Sequence, residues 1–240
     1  MTPPLPASWG PRLKRWGLRL AVAWLLVTVL PVLVFRFVDP PTTAFMLQRR
    51  LEALWNQERH FTLRQKWTPL ERVSPQLRLA VIAAEDQKFP EHFGFDVEAI
   101  EDAIEDRLEG KSRRGASTLT QQVAKNLFLW PGRSFVRKGL EAYFTVLLEL
   151  CWPKWRILEV HLNVAEFGNG VYGVDAASRM AFGVPPSAVD AHQAALMAAV
   201  LPSPRTRRIT APTPAVAERV GWIEDQARRL GLSTVTQLGP

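Results

Sequence analysis

The stretch AAEDQKFPEHFGFD, from Ala83 to Asp96, decides how this chain is read. It follows the apolar run Leu79–Ile82 and then delivers Glu85, Asp86, Phe89, His92, Phe93, Gly94 and Asp96 in close succession. A surface turn has no use for the aromatics, and a core has none for the acids. A carboxylate emerging from Leu79–Ala84 and flanked by Phe89 and Phe93 is partly desolvated, which raises its pKa toward values useful for proton transfer. Asp86 points elsewhere on the helix and could hold a neighbouring Arg or His. Taken singly, Glu85 reads as a helix-end acid paired with Lys88, His92 as a hydrogen-bonded histidine and Gly94 as a backbone requirement. That bland account covers each residue and fails to cover the group.

Working outward, GASTLTQQVAKN (Gly115–Asn126) crowds Ser117, Thr118, Thr120, Gln121 and Gln122 around a predicted helix start. Thr118 and Gln121 have capping-box spacing. Thr118, Gln121 and Lys125 lie on one stripe. Helix starts favour anions, so the segment is either a well-capped helix with a polar face or a cradle for sugar hydroxyls or phosphates. In GRSFVRKGLEAYF, Arg133, Arg137 and Glu141 recur every four residues, opposite the apolar face of Leu140, Phe144, Leu147, Leu148 and Cys151. An intrahelical Arg137–Glu141 pair worth about 0.2–0.5 kcal/mol is one reading. The other is a cationic cluster of Lys125, Arg133, Arg137 and Lys138 that grips a pyrophosphate. Phe128, Leu129 and Trp130 in NLFLWPG are expected either to pack in the core or to dip into a bilayer interface.

The chain has 240 residues, 47% hydrophobic, with net charge +7 and pI near 10.1, compatible with nucleic acid, a membrane surface or an anionic substrate as partner. The N-terminus narrows this. Leu20–Phe35 carries no charge and as a helix is about 24 Å long, extended by Trp16, Leu18, Phe37 and Val38 and flanked by Arg19 and Arg36. No small-residue cleavage site follows, so an uncleaved anchor is expected rather than a signal peptide. Arg12, Lys14, Arg15 and Arg19 put the N-terminus in the cytoplasm by the positive-inside tendency. The remainder then lies outside, and nucleic acid is excluded as a partner. Asp39–Thr43 reads as a stiff linker. Beyond it most segments read as helix, among them a stripe of Val97, Ile100, Ile104 and Leu108 capped by Asp96 and stopped at Gly110, and a last helix near Val216–Leu230. Cys151, the only cysteine, is expected to be buried and inert.

In this order the segments resemble the peptidoglycan glycosyltransferases that accompany class A penicillin-binding proteins, specifically their stand-alone monofunctional form. Glu85-Asp86 through Phe89, His92, Gly94 and Asp96 is similar to that family's first motif, Gly115-Ala116-Ser117-Thr118-x-Thr120-Gln121-Gln122 to its second, and Arg137-Lys138-x-x-Glu141 to its third. ILEVHLN (Ile157–Asn163) and AALMAAVLPSP (Ala194–Pro204) resemble the last two. Ala116 stands for a usual Gly, His161 for a usual Tyr and Gln193 for a usual Glu, departures that bear on local packing.

The resemblance implies a mainly α, lysozyme-like helical glycosyltransferase domain over 51–235. A cytoplasmic tail (1–15), one transmembrane helix (16–38) and a linker with the start of the ectodomain (39–50) would precede it, and no transpeptidase domain fits after Leu230. It implies polymerisation of lipid-linked disaccharide-pentapeptide (lipid II) into β-1,4 glycan strands, with inversion and undecaprenyl diphosphate as leaving group. Glu85 and Glu141 would be catalytic, Glu85 as general base. Glu141 would position the cations or help hold a divalent ion, Mg²⁺ or Mn²⁺, at the diphosphate, with no tightly bound cofactor. Asp86, Phe89, His92, Ser117, Thr118, Thr120, Gln121, Gln122, Lys125, Asn126, Arg133, Arg137 and Lys138 would face the substrate. The implied partners are lipid II, the growing strand, the membrane and other cell-wall synthesis proteins. The implied location is the inner membrane, single-pass, with a periplasmic catalytic domain. Two competing readings are a lysozyme-like hydrolase and a non-catalytic anchored scaffold. The hydrolase needs a paired acid and base and has no use for the cations, whereas a departing pyrophosphate needs charge neutralisation.

Overall fold

The computed structural model describes residues 9–110, 117–132 and 134–239. The chain divides into two units between Val38 and Asp39. The first is helix α1, Trp9–Phe35, with Pro31 inside it. Its segment Leu13–Phe35 is the one helix among the described residues that is long and apolar enough to cross a membrane.

The second unit is helical, as the sequence leads one to expect. It comprises α2 (Ala44–Trp55), α3 (Pro75–Glu85), α4 (Val97–Leu108), α5 (Leu119–Phe128), α6 (Phe135–Cys151) and α7 (Lys154–Val164), then α8 (Val174–Phe182), α9 (Ala191–Val200), α10 (Pro214–Leu230) and α11 (Ser233–Thr236). Three short strands, β1 (Arg64–Gln65), β2 (Glu166–Gly168) and β3 (Val171–Tyr172), form a sheet in the order β1-β3-β2. β1 runs parallel to β3 with Arg64 opposite Val171, and β2 runs antiparallel to it. Strands this short leave no legible alternation in the sequence.

Two helical layers position the site. In the first, α3 packs on α9 and α10. Ser74 starts α3 by accepting from Leu77 N at 3.1 Å, and Pro75 takes the first turn, where its missing N–H has no partner to lose. Leu77 and Leu79–Ala83 are buried. The facing Ala194, Ala195, Ala198 and Ala199 of α9 are buried and small, which lets the helices approach closely. In the second layer α5 lies against α6 and α7. Every residue of α7 from Arg156 to Val164 is buried, so its polar groups need internal partners. Asn163 accepts from Thr68 N at 2.7 Å and donates to Thr68 O at 2.9 Å, while Glu159 accepts from Leu70 N at 2.8 Å and pairs with Arg156. The fourth motif of the resemblance therefore staples the segment before α3.

One expected face is not a core face. Asp96 caps α4 through Ala99 N at 3.0 Å, and Gly110 follows the helix in the left-handed region, yet Val97, Ile104 and Leu108 are exposed. Periodicity places residues on one side of a helix and says nothing about whether another element covers it. Cys151, expected to be buried, is half-buried at the end of α6.

Candidate active site

The first two motifs are bonded to each other. Asp86, next to the end of α3, sends Oδ2 to accept from Leu119 N at 2.9 Å and Oδ1 to His92 Nε2 at 2.8 Å. The anion at the start of α5 is thus the protein's own Asp86 carboxylate, which fills the place considered above for a sugar or phosphate. Gly94 N donates to His92 Nδ1 at 3.1 Å, so Nε2 carries the ring proton and donates it to Asp86. Thr118 Oγ1 donates to Gly94 O at 2.7 Å and also caps α5, where Thr118 and Gln121 form the expected capping box.

Behind this lies a buried polar group. Thr120 Oγ1 donates to Glu149 Oε1 at 2.6 Å, and Lys154 Nζ reaches the same oxygen at 2.8 Å and His92 O at 2.7 Å. Lys154 also stands 4.7 Å from the ring centroid of buried Phe89. Asp86, Phe89, His92, Thr118, Thr120 and Gln121 accordingly have internal partners. Ser117 is exposed at the head of α5 and Asn126 is half-buried on it. Gly115, Ala116 and Arg133 lie outside the described residues.

Glu85 is the last residue of α3, with its side chain 12% exposed. Oε2 accepts from Gln122 Nε2 at 3.0 Å, and Oε1 lies 3.4 Å from Arg219 Nη2. Burial raises its pKa above the ordinary carboxylate range, opposed by the Gln122 hydrogen bond and by the charges of Arg219, Lys125 and Arg207. Lys88 does not pair with it and bonds Glu98 instead. Gln122 turns its amide oxygen to His161 Nε2 at 3.2 Å.

Across from this acid, Glu141 is 3% exposed and accepts from Arg137 Nη1 and Lys138 Nζ, each at 2.5 Å. The intrahelical pair is therefore real, and it leaves Lys125 as the cation between the two acids. Lys125 Nζ stands 5.6 Å from the Phe45 centroid. Burial lowers its pKa, Glu141 and Glu85 oppose that, and Arg137 and Lys138 reinforce it. Glu85 is thus a half-hidden carboxylate within electrostatic reach of the partly desolvated Lys125, a pairing suited to accepting a proton and to stabilising developing negative charge.

Both oxygens of Glu141 already accept from cations, and among the described residues no group of three His, Cys, Asp or Glu is arranged to hold a metal. The expectation for NLFLWPG is corrected in part. Leu129 is 2% exposed and belongs to the core, because its carbonyl is held by Gln48 Nε2 at 3.1 Å and its side chain is turned inward. Phe128 stacks on Phe144 with centroids 4.5 Å apart. Trp130, at 45%, is the exposed member.

Sequence reasoning missed Arg219 and Arg207, which reach Glu85 from a C-terminal helix and the loop before it. On a helix with many charges Arg219 looks like an ordinary solvated residue. His161 was legible only as a departure from the family's usual residue in ILEVHLN, and its bond to Gln122 was not.

The family described as Transglycosylase matches residues 52–228. A biosynthetic peptidoglycan transglycosylase of Pseudomonas fluorescens is 51% identical over 212 residues, 88% of each chain. Proteins of the same name from Xylella fastidiosa and Xanthomonas campestris are 51% and 50% identical, the first covering 90% of both chains and the second 92% of this chain and 89% of its own. The helical, lysozyme-like architecture, the acid at the end of α3 and a match of this extent agree: the chain belongs to the transglycosylase family.

Proposed function

We propose that the chain builds peptidoglycan glycan strands from lipid II at the outer face of the cytoplasmic membrane. The observation that supports this reading is the buried carboxylate of Glu85 at the end of α3, raised in pKa by burial and acted on by the charge of Lys125, which in turn feels Glu141, Arg137 and Lys138. Glu85 removes the proton of the acceptor's 4-hydroxyl as that oxygen attacks the donor's anomeric carbon. The new C–O bond forms as the bond from that carbon to the diphosphate breaks, and the electron pair leaves with the undecaprenyl diphosphate. Attack opposite an α-linked diphosphate yields a β-1,4 bond. Lys125, Arg137 and Lys138 stabilise the departing charge, so no general acid is needed.

A lysozyme-like hydrolase is disfavoured by the same groups. It requires a second carboxyl able to exchange a proton or attack carbon, whereas Glu141 is doubly ion-paired and Asp86 is held by Leu119 N and His92. In this reading α1 anchors the chain with its basic N-terminal side in the cytoplasm and the catalytic unit in the periplasm. The exposed Trp130, Phe135 and Val136 touch the bilayer where the lipid substrate resides. The deciding experiment supplies the purified full chain with labelled lipid II. Lengthening glycan strands are expected; release of soluble fragments from preformed polymer, with no extension, would favour hydrolysis.

A further inference from the structure

Gln122 is held at both ends by groups that the sugar chemistry does not require to touch. Its Nε2 donates to Glu85 Oε2 at 3.0 Å and its Oε1 lies 3.2 Å from His161 Nε2. His161 is 1% exposed, on the central helix α7. Burial and the nearby Lys125 hold its pKa down at about 3, so the ring is neutral at working pH and carries one N–H. An amide oxygen only accepts, which puts that proton on Nε2. Nδ1 has no hydrogen-bond partner among the described residues, and as a bare ring nitrogen it is an acceptor. The hydrogen-bond chain therefore has one polarity, from His161 to Gln122 and from Gln122 to Glu85.

We propose that His161 is a positioning residue for the transfer reaction: by occupying the Gln122 amide oxygen it forces the amide nitrogen onto Glu85 and keeps that carboxylate aimed and ionised. The inference rests on Glu85 being the general base. An amide is nearly symmetric in shape, so with no donor behind it Gln122 would be free to turn its oxygen toward Glu85. An oxygen there repels the carboxylate and favours its protonated form, which cannot accept the acceptor's proton. The reverse polarity needs the imidazole proton on Nδ1, and a buried N–H without an acceptor is the rarer and less tolerated orphan. The other charges facing Glu85 are Arg219 on α10, Arg207 after α9 and Lys125 on α5; none of them faces the Gln122 oxygen as a hydrogen-bond donor among the described residues.

The test is the pH profile of kcat/KM for strand extension from lipid II by the full chain. His161→Phe is expected to move the acid limb upward by about one pH unit, a tenfold change in the apparent ionisation constant. His161→Tyr, whose hydroxyl can still donate to the amide oxygen, is expected to keep the limb near its original place. Gln122→Met should reproduce the shift of His161→Phe, and the double variant should add nothing to it. A His161→Phe protein that melts lower yet keeps its acid limb overturns the inference, as does an additive double variant. If His161→Phe fails to fold, an unmoved limb in Gln122→Met overturns it equally. Glu85→Gln run alongside separates the two levels. Near wild-type extension there dismisses the base itself, whereas lost extension with an unmoved limb in the other variants dismisses His161 alone.

Discussion

Arg219 meets Glu85 across 134 positions of sequence, with Nη2 3.4 Å from Glu85 Oε1 and 3.3 Å from the Ala84 carbonyl. The guanidinium thus satisfies a free carbonyl at the end of α3 and at the same time offsets part of the effect of burial on the acid. Arg219→Met removes the charge and leaves burial in place, so the Glu85 pKa rises further. In the proposed reaction the active base is the Glu85 carboxylate, so the variant is expected to lose rate on the acid side, with the acid limb of kcat/KM displaced upward and the alkaline plateau less affected. An unmoved limb would mean that Arg219 has no electrostatic hold on Glu85.

Glu85→Gln is expected to lower turnover by roughly 10²–10⁴, the range for removal of a general base. Strand extension from labelled lipid II, measured at equal protein, checks it. Retained activity removes Glu85 from its role.

The same substitution should stabilise the fold at neutral pH. Glu85 has a folded-state pKa above its unfolded value, so the folded protein prefers the protonated form and loses stability as pH rises from the ordinary carboxylate range through the raised value. Gln mimics the protonated acid. Glu85→Gln should therefore melt higher than wild type at pH 7, with the difference vanishing in acid. Thermal melts across pH decide this, and a lower Tm at neutral pH contradicts it.

Asp86→Ala should act on the scaffold. It strips an acceptor from the buried Leu119 N and from the half-buried His92 Nε2, and is expected to cost about 2–4 kcal/mol of unfolding free energy. Denaturant titration measures it. A cost under about 0.5 kcal/mol would return Asp86 to a substrate-facing role.

Gly94 has φ +79°, and a Cβ there would stand 2.7 Å from Thr145 Cγ2. Gly94→Ala should cost about 2–3 kcal/mol from strain and overlap together. Thr145→Ser removes that methyl and keeps the hydroxyl that donates to Glu141 O at 2.7 Å. The double variant should recover the overlap part and leave about 1–2 kcal/mol of backbone strain. Strict additivity of the two substitutions would show that contact with Thr145 is not the cause.

Much of the second unit was legible in the sequence because its signals are local. Asp96, Thr118–Gln121 and the apolar face of α6 announce helices through caps and period, and the α3 end announces an acid beside aromatics. The outward stripe of α4 and the inward turn of Leu129 were not legible, since both depend on which element lies alongside. The short strands escaped notice because two or three residues cannot display a period.

By itself the sequence determined that Glu85 is an acid set beside aromatics at a helix end, where several helices begin and end, and that Arg137 and Glu141 share a helix face. Those properties follow from chemistry and spacing within a few turns of chain. Only the tertiary structure decided that Asp86 caps α5, that Glu141 is paired with cations of its own helix, and that Arg219 and Gln122, the latter bonded to His161, contact Glu85. Each of these is a contact between side chains brought together by packing of separate helices, and the ionisation of a buried group is set by neighbours in space rather than in sequence.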